Sequence, residues 1–549
     1  MTQRITIYQV LPRLFGNLNA TNRPHGTYEV NGSGKMEDFT AERLQEIREM
    51  GFTHIWYTGI VEHATKTAFG AELPANHPDI VKGEAGSPYA IRDYYDIAPA
   101  LAVNPSARMA EFEMLVERTH QAGLGVIIDF VPNHLSRQYA SDVRPGYVKD
   151  FGEEDNTKVA FAPHNNFYYL PDEALVLDSG TSEPNYQEYP AKATGNNCFT
   201  NRPSRNDWYE TVKLNYGIDL AGDWQTYYDP IPDTWLKMMD ILNFWAQKGV
   251  DGFRCDMAEL VPVPFWNWVI RKLKTGYPDL LMIAEVYQPE RYGEFVNAGF
   301  DYLYDKVGLY DRMVQLIKGE RGTDTIEEAL QLPTQIRSHL LRFMENHDEQ
   351  RLASDFIAGD GRAAFPAMCL TALVDGNPLM IYFGQELGER GMDAEGYSGL
   401  DGRTTIFDYW SVESVRGWLK GEGEVPELKK RYRQLLELAR LPIFREGVYY
   451  NLNYYNPQLT SQRCSALLRE LNGVVALVVV NFDHSPKEVN ITLPQHALEL
   501  LQISPEAVCR LSELVYRQQT YALLRPDYPY TLDVERYGMA IYLFTPIGS

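Results

Sequence analysis

The sequence predicts an α/β protein in which eight buried strands alternate with helices, followed by an all-β unit. Three observations carry this prediction. Eight short apolar runs recur between residues 5 and 384, apolar on both faces like strands covered on both sides of a parallel sheet. Longer segments of helical periodicity lie between them. After Leu441 the pattern changes to closely spaced short strands. Such an alternation either closes into a (β/α)8 barrel or opens into a doubly wound sheet.

The strand candidates in order are ITIYQV (5–10), HIWYTGI (54–60), GVIIDFV (125–131), GVDGFRCD (249–256), LLMIAEV (280–286), FDYLYDK (300–306), LLRFMEN (340–346) and PLMIYFG (378–384). Helices are expected at Ala41–Met50, Ser106–Ala122, Pro232–Gln247, Phe265–Thr275 and Leu309–Gly319. Ser106 suits an N-cap, and Gly123 suits the stop of the same helix. Residues 135–230 interrupt the alternation: they are rich in Asn, Pro, Gly and Tyr, lack a sustained period, and are too long for a plain loop. They read as an inserted subdomain after strand three. The expected organisation is therefore 1–134 and 231–441 for the α/β unit, 135–230 for the insertion and 442–549 for a C-terminal antiparallel β-sandwich. The sandwich strands are GVYYNLNYY, CSALLRELN, VVALVVVNF, EVNITLP, YALLRPDY and MAIYLFTP.

The chain has 549 residues, and its net charge of -23 disfavours nucleic acid and anionic lipid surfaces as partners. Five cysteines without CxxC or zinc-like spacing argue against a disulfide framework and a structural zinc. The longest purely apolar run, Val474–Val480, is far short of the ~20 residues that span a bilayer. The N-terminal MTQRITIYQVLPRLFG lacks a basic head, an apolar stretch and a cleavage site, so a cytoplasmic location is expected; a leader already removed would make the protein secreted. Aromatic residues reach 12%, led by 36 Tyr, and flat rings with polar tips suit a sugar-binding cleft.

Chemistry gathers at the strand ends. Strand three ends in Asp129, Asn133 and His134, strand four in Arg254 and Asp256, strand five in Glu285, and strand seven in Asn346, His347 and Asp348. In a parallel barrel all strand C-termini open on one face, so these groups would converge there. Capping explains a single strand-end Asp, but not the same feature at four strand ends.

The segments DFVPNH (129–134), GFRCDMAE (252–259), IAEVYQ (283–288) and FMENHDEQR (343–351) resemble, in order, the four signature regions of the α-amylase family of glycoside hydrolases and transglycosylases. GFTHIW (51–56), SPYAIRDYYDI (87–97) and MIYFGQE (380–386) extend the resemblance over about residues 5–410. It implies a (β/α)8 TIM barrel with an inserted subdomain after strand 3 and a C-terminal antiparallel β-sandwich. It also implies a retaining α-glucoside hydrolase acting on α-1,4-linked glucans or maltooligosaccharides. Mapped by motif, Asp256 is the nucleophile, Glu285 the general acid/base and Asp348 the stabilising carboxylate. His134 and His347 are implied to bind the sugar at the cleavage point, and Tyr89 to stack on it. Arg254, two residues before Asp256 and so on the same side of the strand, is placed to orient Asp256 and keep it ionised. Glu285 must be protonated to donate, so its pKa should be raised. Retaining geometry asks for roughly 5–5.5 Å between the two carboxyl groups. The chemistry needs no cofactor; Asn133 stands where many relatives help to bind a structural calcium.

Departures from the family pattern bear on specificity. Glu259 and Leu260 stand where many calcium-dependent endo-amylases carry a Lys-His pair, and Ala90 stands where exo-acting α-glucosidases usually carry an Asp, which favours an open cleft. Val212-Lys213-Leu214-Asn215 partly resembles the MPKLN element of neopullulanase-like relatives. Trp208, Tyr209, Trp224 and Tyr287 are candidate sugar platforms. The alternatives are a transglycosylase with the same catalytic residues, and a non-catalytic carbohydrate-binding relative, which would be expected to lack one of the three carboxylates.

Overall fold

The computed structural model describes residues 3–177, 184–421, 426–503 and 507–547. Eight strands, β1 (Thr6–Val10), β2 (His54–Tyr57), β3 (Gly125–Phe130), β4 (Gly252–Cys255), β5 (Leu281–Ala284), β6 (Tyr302–Tyr304), β7 (Leu340–Phe343) and β8 (Leu379–Tyr382), form one parallel barrel. Closure is shown by β1, where Tyr8 pairs with Ile55 on β2 and with Ile381 on β8. A doubly wound sheet would leave β1 and β8 unpaired with each other.

The helices follow from local sequence where they are amphipathic. Ala41–Glu49 begins at Thr40, whose hydroxyl accepts from the Arg43 amide at 3.2 Å, and it buries Leu44 and Ile47. Asp233–Gln247 and Val263–Gly276 lie within two residues of their expected bounds. The expected cap at Ser106 is corrected. Residues Pro105–Ala107 form a tight turn whose cap is the Asn104 side chain, and the helix proper starts at Arg108. Pro105 fixes that turn because it cannot donate a backbone hydrogen bond. Gly123 does end this helix region, at φ +75°. The expected helix at 309–319 is split into a wide turn, Lys306–Tyr310, and a helix, Asp311–Lys318.

Two barrel helices, Tyr292–Ala298 and Gly361–Leu373, carry no periodic signal strong enough to predict them. The second is buried continuously from Ala364 to Leu373. It packs between β7, the neighbouring helix Glu427–Ala439 and the C-terminal sheet. A helix covered all round has no polar face, so its sequence has no 3.6-residue alternation.

Between β3 and Asp233 the chain forms short antiparallel strand pairs, His134–Ser136 against Thr211–Lys213 and Tyr169–Leu170 against Ala191–Lys192. The first pair starts directly from the mouth of β3, and Trp208, Glu210 and Thr211 beside it line the barrel opening.

Beyond Leu441 lie β9 (Val448–Asn451), β10 (Cys464–Leu471), β11 (Val474–Asn481), β12 (Lys487–Thr492), β13 (Ala507–Glu513), β14 (Gln518–Leu524), β15 (Pro529–Val534) and β16 (Gly538–Pro546). A six-stranded antiparallel sheet, ordered β9-β10-β11-β16-β13-β14, faces the β12–β15 pair. Leu477 and Val479 of β11 share one core with Val489, Ile491, Leu532 and Val534 of the smaller sheet. β13 and β15 were not among the expected strands, and the strand expected across 521–528 ends at Leu524. β15 opens on Pro529 and alternates exposed and buried residues, a pattern weaker than the apolar run of β11. The five cysteines are free. Among the described residues no helix is long and apolar enough to cross a membrane.

Leu477 is fully buried between the two sheets. Leu477→Ala is expected to remove ~2–5 kcal/mol from the unfolding free energy of the C-terminal unit. Urea denaturation followed by circular dichroism checks this, and an unchanged midpoint would place Leu477 outside the core.

Candidate active site

The mouth is organised around Arg254, which points inward from β4 and is 1% exposed. Its register neighbours are Asp129 on β3 and Ile283 on β5. Nη1 lies 2.5 Å from Asp256 Oδ1 and 3.6 Å from Asp129 Oδ1, and Nη2 lies 2.8 Å from Glu285 Oε2 and 4.0 Å from Asp348 Oδ2. Nε donates to the Tyr304 hydroxyl at 3.2 Å, and the Trp56 and Tyr89 rings lie 5.5 and 5.3 Å from the guanidinium. One cation thus gathers the expected carboxylates from three strands. Cys255, between Arg254 and Asp256, is buried in the core behind the strand, as the two-residue period requires.

Asp256 follows β4 directly, and its amide donates to the Phe130 carbonyl at 2.8 Å. The next residue, Met257, adopts a left-handed conformation at φ +44°. That turn aims the Met257 amide at Glu285 Oε2, 2.7 Å away, while the Tyr287 hydroxyl donates to Glu285 Oε1 at 2.6 Å. Backbone strain at a non-glycine residue beside a reacting group is a recurrent feature of functional sites. Burial pushes the Asp256 carboxyl well above its ordinary range; Arg254 opposes this, and the Glu285 and Asp348 charges add to it. Asp348, on the loop after β7, is 39% exposed on its side chain. What burial it has raises its pKa, but His347 at 3.0 Å and the Arg254 and Arg403 cations outweigh this and hold it below the ordinary value.

His347 is wedged in place. The Gln9 amide lies 2.8 Å from Nδ1, the Tyr89 hydroxyl lies 2.6 Å from Nε2, and the Tyr89 ring stacks on the imidazole at 5.2 Å. Tyr89 also donates to Asp129 at 3.2 Å. Asp129 therefore holds Arg254, Tyr89 and the Trp56 indole together from beneath. His134 lines the other side against the Trp208 ring, 5.0 Å away. Burial lowers its pKa to about 3, with the Lys213 and Lys82 charges acting in the same direction, so it is a neutral imidazole.

Asn133 does not fit the calcium role that the resemblance implies. Its Oδ1 accepts from Lys213 Nζ, which also donates to the Leu260 carbonyl at 3.2 Å, and its amide donates to the Gly195 carbonyl at 2.9 Å. The oxygen that would ligate a metal is occupied by an ammonium, and a second cation there would be repelled. Burial lowers the Lys213 amine to about 7. Among the described residues, the one set of three His, Cys, Asp or Glu side chains close enough to share an ion is Glu62, Asp93 and Asp96.

These groups line a cavity of about 290 Å³. It contains Asp256, Glu285, Asp348, Tyr89 and His134, whereas Arg254 and His347 stand just behind it. Trp208 and Tyr287 line it, Tyr209 is buried beside it, and Trp224 is 65% exposed elsewhere in the insertion. Sequence reasoning missed Lys82, Glu210 and Phe407, which lie outside every motif. Lys82 Nζ pairs with Glu210 Oε1 at 2.7 Å across the cavity wall, and Glu210 Oε2 has no partner among the described residues. Ala90 is packed against Ala64 and Val81 and does not line the cavity, so the openness of the mouth is set by Lys82 and Glu210 instead.

A sequence model described as alpha amylase, catalytic domain, matches residues 9–416. Neopullulanase 2 of Thermoactinomyces vulgaris is 23% identical over 399 residues, which cover 70% of this chain and 56% of that protein. Alpha-amylase 3 of Dictyoglomus thermophilum is 24% identical, with 64% and 66% covered. An alpha-1,4-glucan:maltose-1-phosphate maltosyltransferase of Cereibacter sphaeroides is also 24% identical, with 70% and 52% covered. The matched chain spans between half and two thirds of the length of these relatives. Among solved structures, maltogenic alpha-amylase AmyB from Thermotoga neapolitana superposes with a TM-score of 0.62 at 20% identity, covering 99% of each chain. An alpha-amylase from Geobacillus thermoleovorans gives 0.64 at 18% identity, again over 99% of each chain. At these identities the likeness is one of fold.

Two outcomes test the buried cation and the neutral imidazole. Lys213→Met strands two buried acceptors and is expected to lower stability by ~1–3 kcal/mol, while chelation leaves the melting temperature of the unsubstituted protein unchanged. A calcium-dependent rise in melting temperature would show that an ion displaces the ammonium. His134 stays unprotonated in the fold down to about pH 3, whereas the unfolded side chain takes up its proton near 6.5. Stability should therefore fall as pH drops from about 6.5 towards 3. In chemical denaturation across that window His134→Gln should flatten the slope; an identical slope would show that His134 is already charged.

Proposed function

The chain belongs to the alpha-amylase family, and from that membership and the geometry of the mouth we propose that it is a retaining α-glucoside hydrolase acting on α-1,4-linked glucans or maltooligosaccharides. The observation that carries this reading is the sharing of one buried guanidinium by Asp256 and Glu285. Two carboxylates on the two Nη atoms of one planar fork favour the short, retaining separation of ~5–5.5 Å over the ~6.5–9.5 Å that leaves room for a directly attacking water.

Asp256, oriented by Arg254, attacks the anomeric carbon and forms the glycosyl-enzyme. Glu285, held on both oxygens by the Met257 amide and the Tyr287 hydroxyl, gives its proton to the departing glucosidic oxygen. It then takes a proton from the incoming water as the intermediate is resolved. Asp348 carries negative charge beside the reacting ring, where the oxocarbenium-like transition state is positive. Neutral His134 offers a hydrogen bond without adding positive charge next to that cation, and His347 is held in place beside Asp348 to bind the same sugar. Tyr89, Trp208 and Tyr287 present ring surface to the sugar. A neutral glucan needs no steering charge, in keeping with a net charge of -23.

Transglycosylation is the second reading, because the relatives include a maltosyltransferase as well as amylases and differ in what resolves the intermediate. Incubation with maltoheptaose separates the two. Short maltooligosaccharides and glucose alone support hydrolysis, products longer than the substrate support transfer, and no conversion refutes both. Asp256→Asn is expected to lower kcat by on the order of 10⁴-fold with the fold intact; unchanged turnover would remove its role as nucleophile.

A further inference from the structure

A second arginine cluster lies at the opposite end of the barrel, where the loop before β8 meets β9 and β10. It borders a cavity of about 380 Å³ whose wall includes Arg337, Arg445, Arg469, Asp375 and Glu446. Both of those acids are already engaged. Asp375 accepts from Arg342 Nη2 at 2.6 Å, and Glu446 pairs with Arg445. That leaves Arg337 and Arg469 without a carboxylate in direct contact, with Asp375 acting on Arg469 from a distance.

Arg469 is 2% exposed. Nη1 donates to the carbonyls of Leu373 at 3.1 Å and Val374 at 2.6 Å, Nη2 donates to the Gly447 carbonyl at 2.6 Å, and Nε has no partner. Arg337 donates to the Leu330 carbonyl at 2.8 Å. Behind them Arg4, 4% exposed, is likewise held by carbonyls alone and leaves Nη2 unpaired. Among the described residues no carboxylate lies within 4.0 Å of these three guanidiniums. Burial lowers Arg4 to about 9 and Arg469 to about 10, so both remain charged at neutral pH.

Carbonyl oxygens satisfy hydrogen bonds but carry no net charge, and Asp375 is the one carboxylate that acts on Arg4, Arg342 and Arg469 together, so the buried cations are only partly compensated, which is costly. In a chain with 74 acidic and 51 basic residues, a pocket whose cations outnumber its uncommitted carboxylates runs against composition. We propose that this cavity is an anion site that takes a phosphoryl group, either free phosphate or the phosphate of a sugar ester. Arg337, with one hydrogen bond, supplies the open guanidinium for a dianion, Arg469 adds charge from behind it, and the Thr334 and Ser338 side chains line the same wall. The site is separate from the catalytic mouth and stands or falls independently of the hydrolase reading. A bound dianion would tie the barrel to the C-terminal sheet through Arg469, which already joins Leu373 to Gly447.

Thermal unfolding during titration with sodium phosphate, at ionic strength held constant with sodium chloride, tests the proposal. A saturable rise in melting temperature is expected, and a parallel titration with glucose 1-phosphate identifies the source. Tighter saturation by the ester assigns a sugar phosphate; equal saturation assigns the phosphoryl group alone. Arg469→Gln and Arg337→Gln should each weaken apparent affinity by roughly tenfold or more. If Arg469→Gln does not fold, Arg337→Gln decides the matter, because Arg337 is only partly buried and makes a single hydrogen bond, to the Leu330 carbonyl. No rise beyond that given by sodium chloride, or a phosphate response undiminished in Arg337→Gln, would overturn the proposal and leave these arginines as carbonyl caps.

Discussion

A single buried cation, Arg254, sets the geometry on which the rest of the mouth depends. A guanidinium that is 1% exposed must be surrounded by acceptors, and these come from β3, β4, β5, β6 and the loop after β7. Those elements can reach it only if the barrel closes in the observed register, with Asp129 opposite Arg254 and the end of β5 beside Cys255. Barrel closure and placement of the reacting groups are therefore one constraint. A shift by one residue on β4 would turn Arg254 into the helical layer and leave Asp129 and Glu285 without a counter-charge.

Lys213 supports the mouth from the inserted residues. Its ammonium links Asn133, at the end of β3, to the Leu260 carbonyl after β4, and so joins the floor of the His134 strand pair to the strand that carries Asp256. It also adds to the forces that keep His134 unprotonated. An internal amine performs the cross-linking expected of a metal ion, and it does so from a covalently attached side chain.

The barrel and its reacting carboxylates were legible because each lies in a short run where type and spacing are both constrained: Arg254 and Asp256 two apart, Glu285 at the end of an apolar strand, His347 and Asp348 adjacent. Tyr89 and His134 were legible for the same reason. Lys82, Glu210 and Phe407 were not, because they meet only when loops 128 and 197 residues apart in sequence fold over the opening, and no local pattern marks either loop. The amine beside Asn133 was not legible because Asn is the same residue whether its oxygen faces a metal or an amine; the contacting residue, Lys213, is 80 positions away. The helix at Gly361–Leu373 was hidden by complete burial, which erases the periodicity that reveals a surface helix.

The two ends of the barrel solve opposite charge problems, and the difference bears on chemistry. At the C-terminal mouth Asp129, Asp256, Glu285 and Asp348 surround one arginine, an excess of negative charge in a buried place. Carboxylates can relieve such an excess by taking up a proton, and burial raises both Asp129 and Asp256 accordingly. Arg254 opposes that rise at Asp256, as a nucleophile requires, so the crowded acids and their one cation form a group within which a proton can be exchanged. At the opposite end the excess is of guanidinium, which has no accessible neutral form. Relief there comes in part from Asp375, which acts on Arg4, Arg342 and Arg469, and the remainder is what the proposed anion would supply. The same fold thereby places a proton-exchanging site at one end and an anion-seeking site at the other, each following from whether the charged groups in excess can change their protonation.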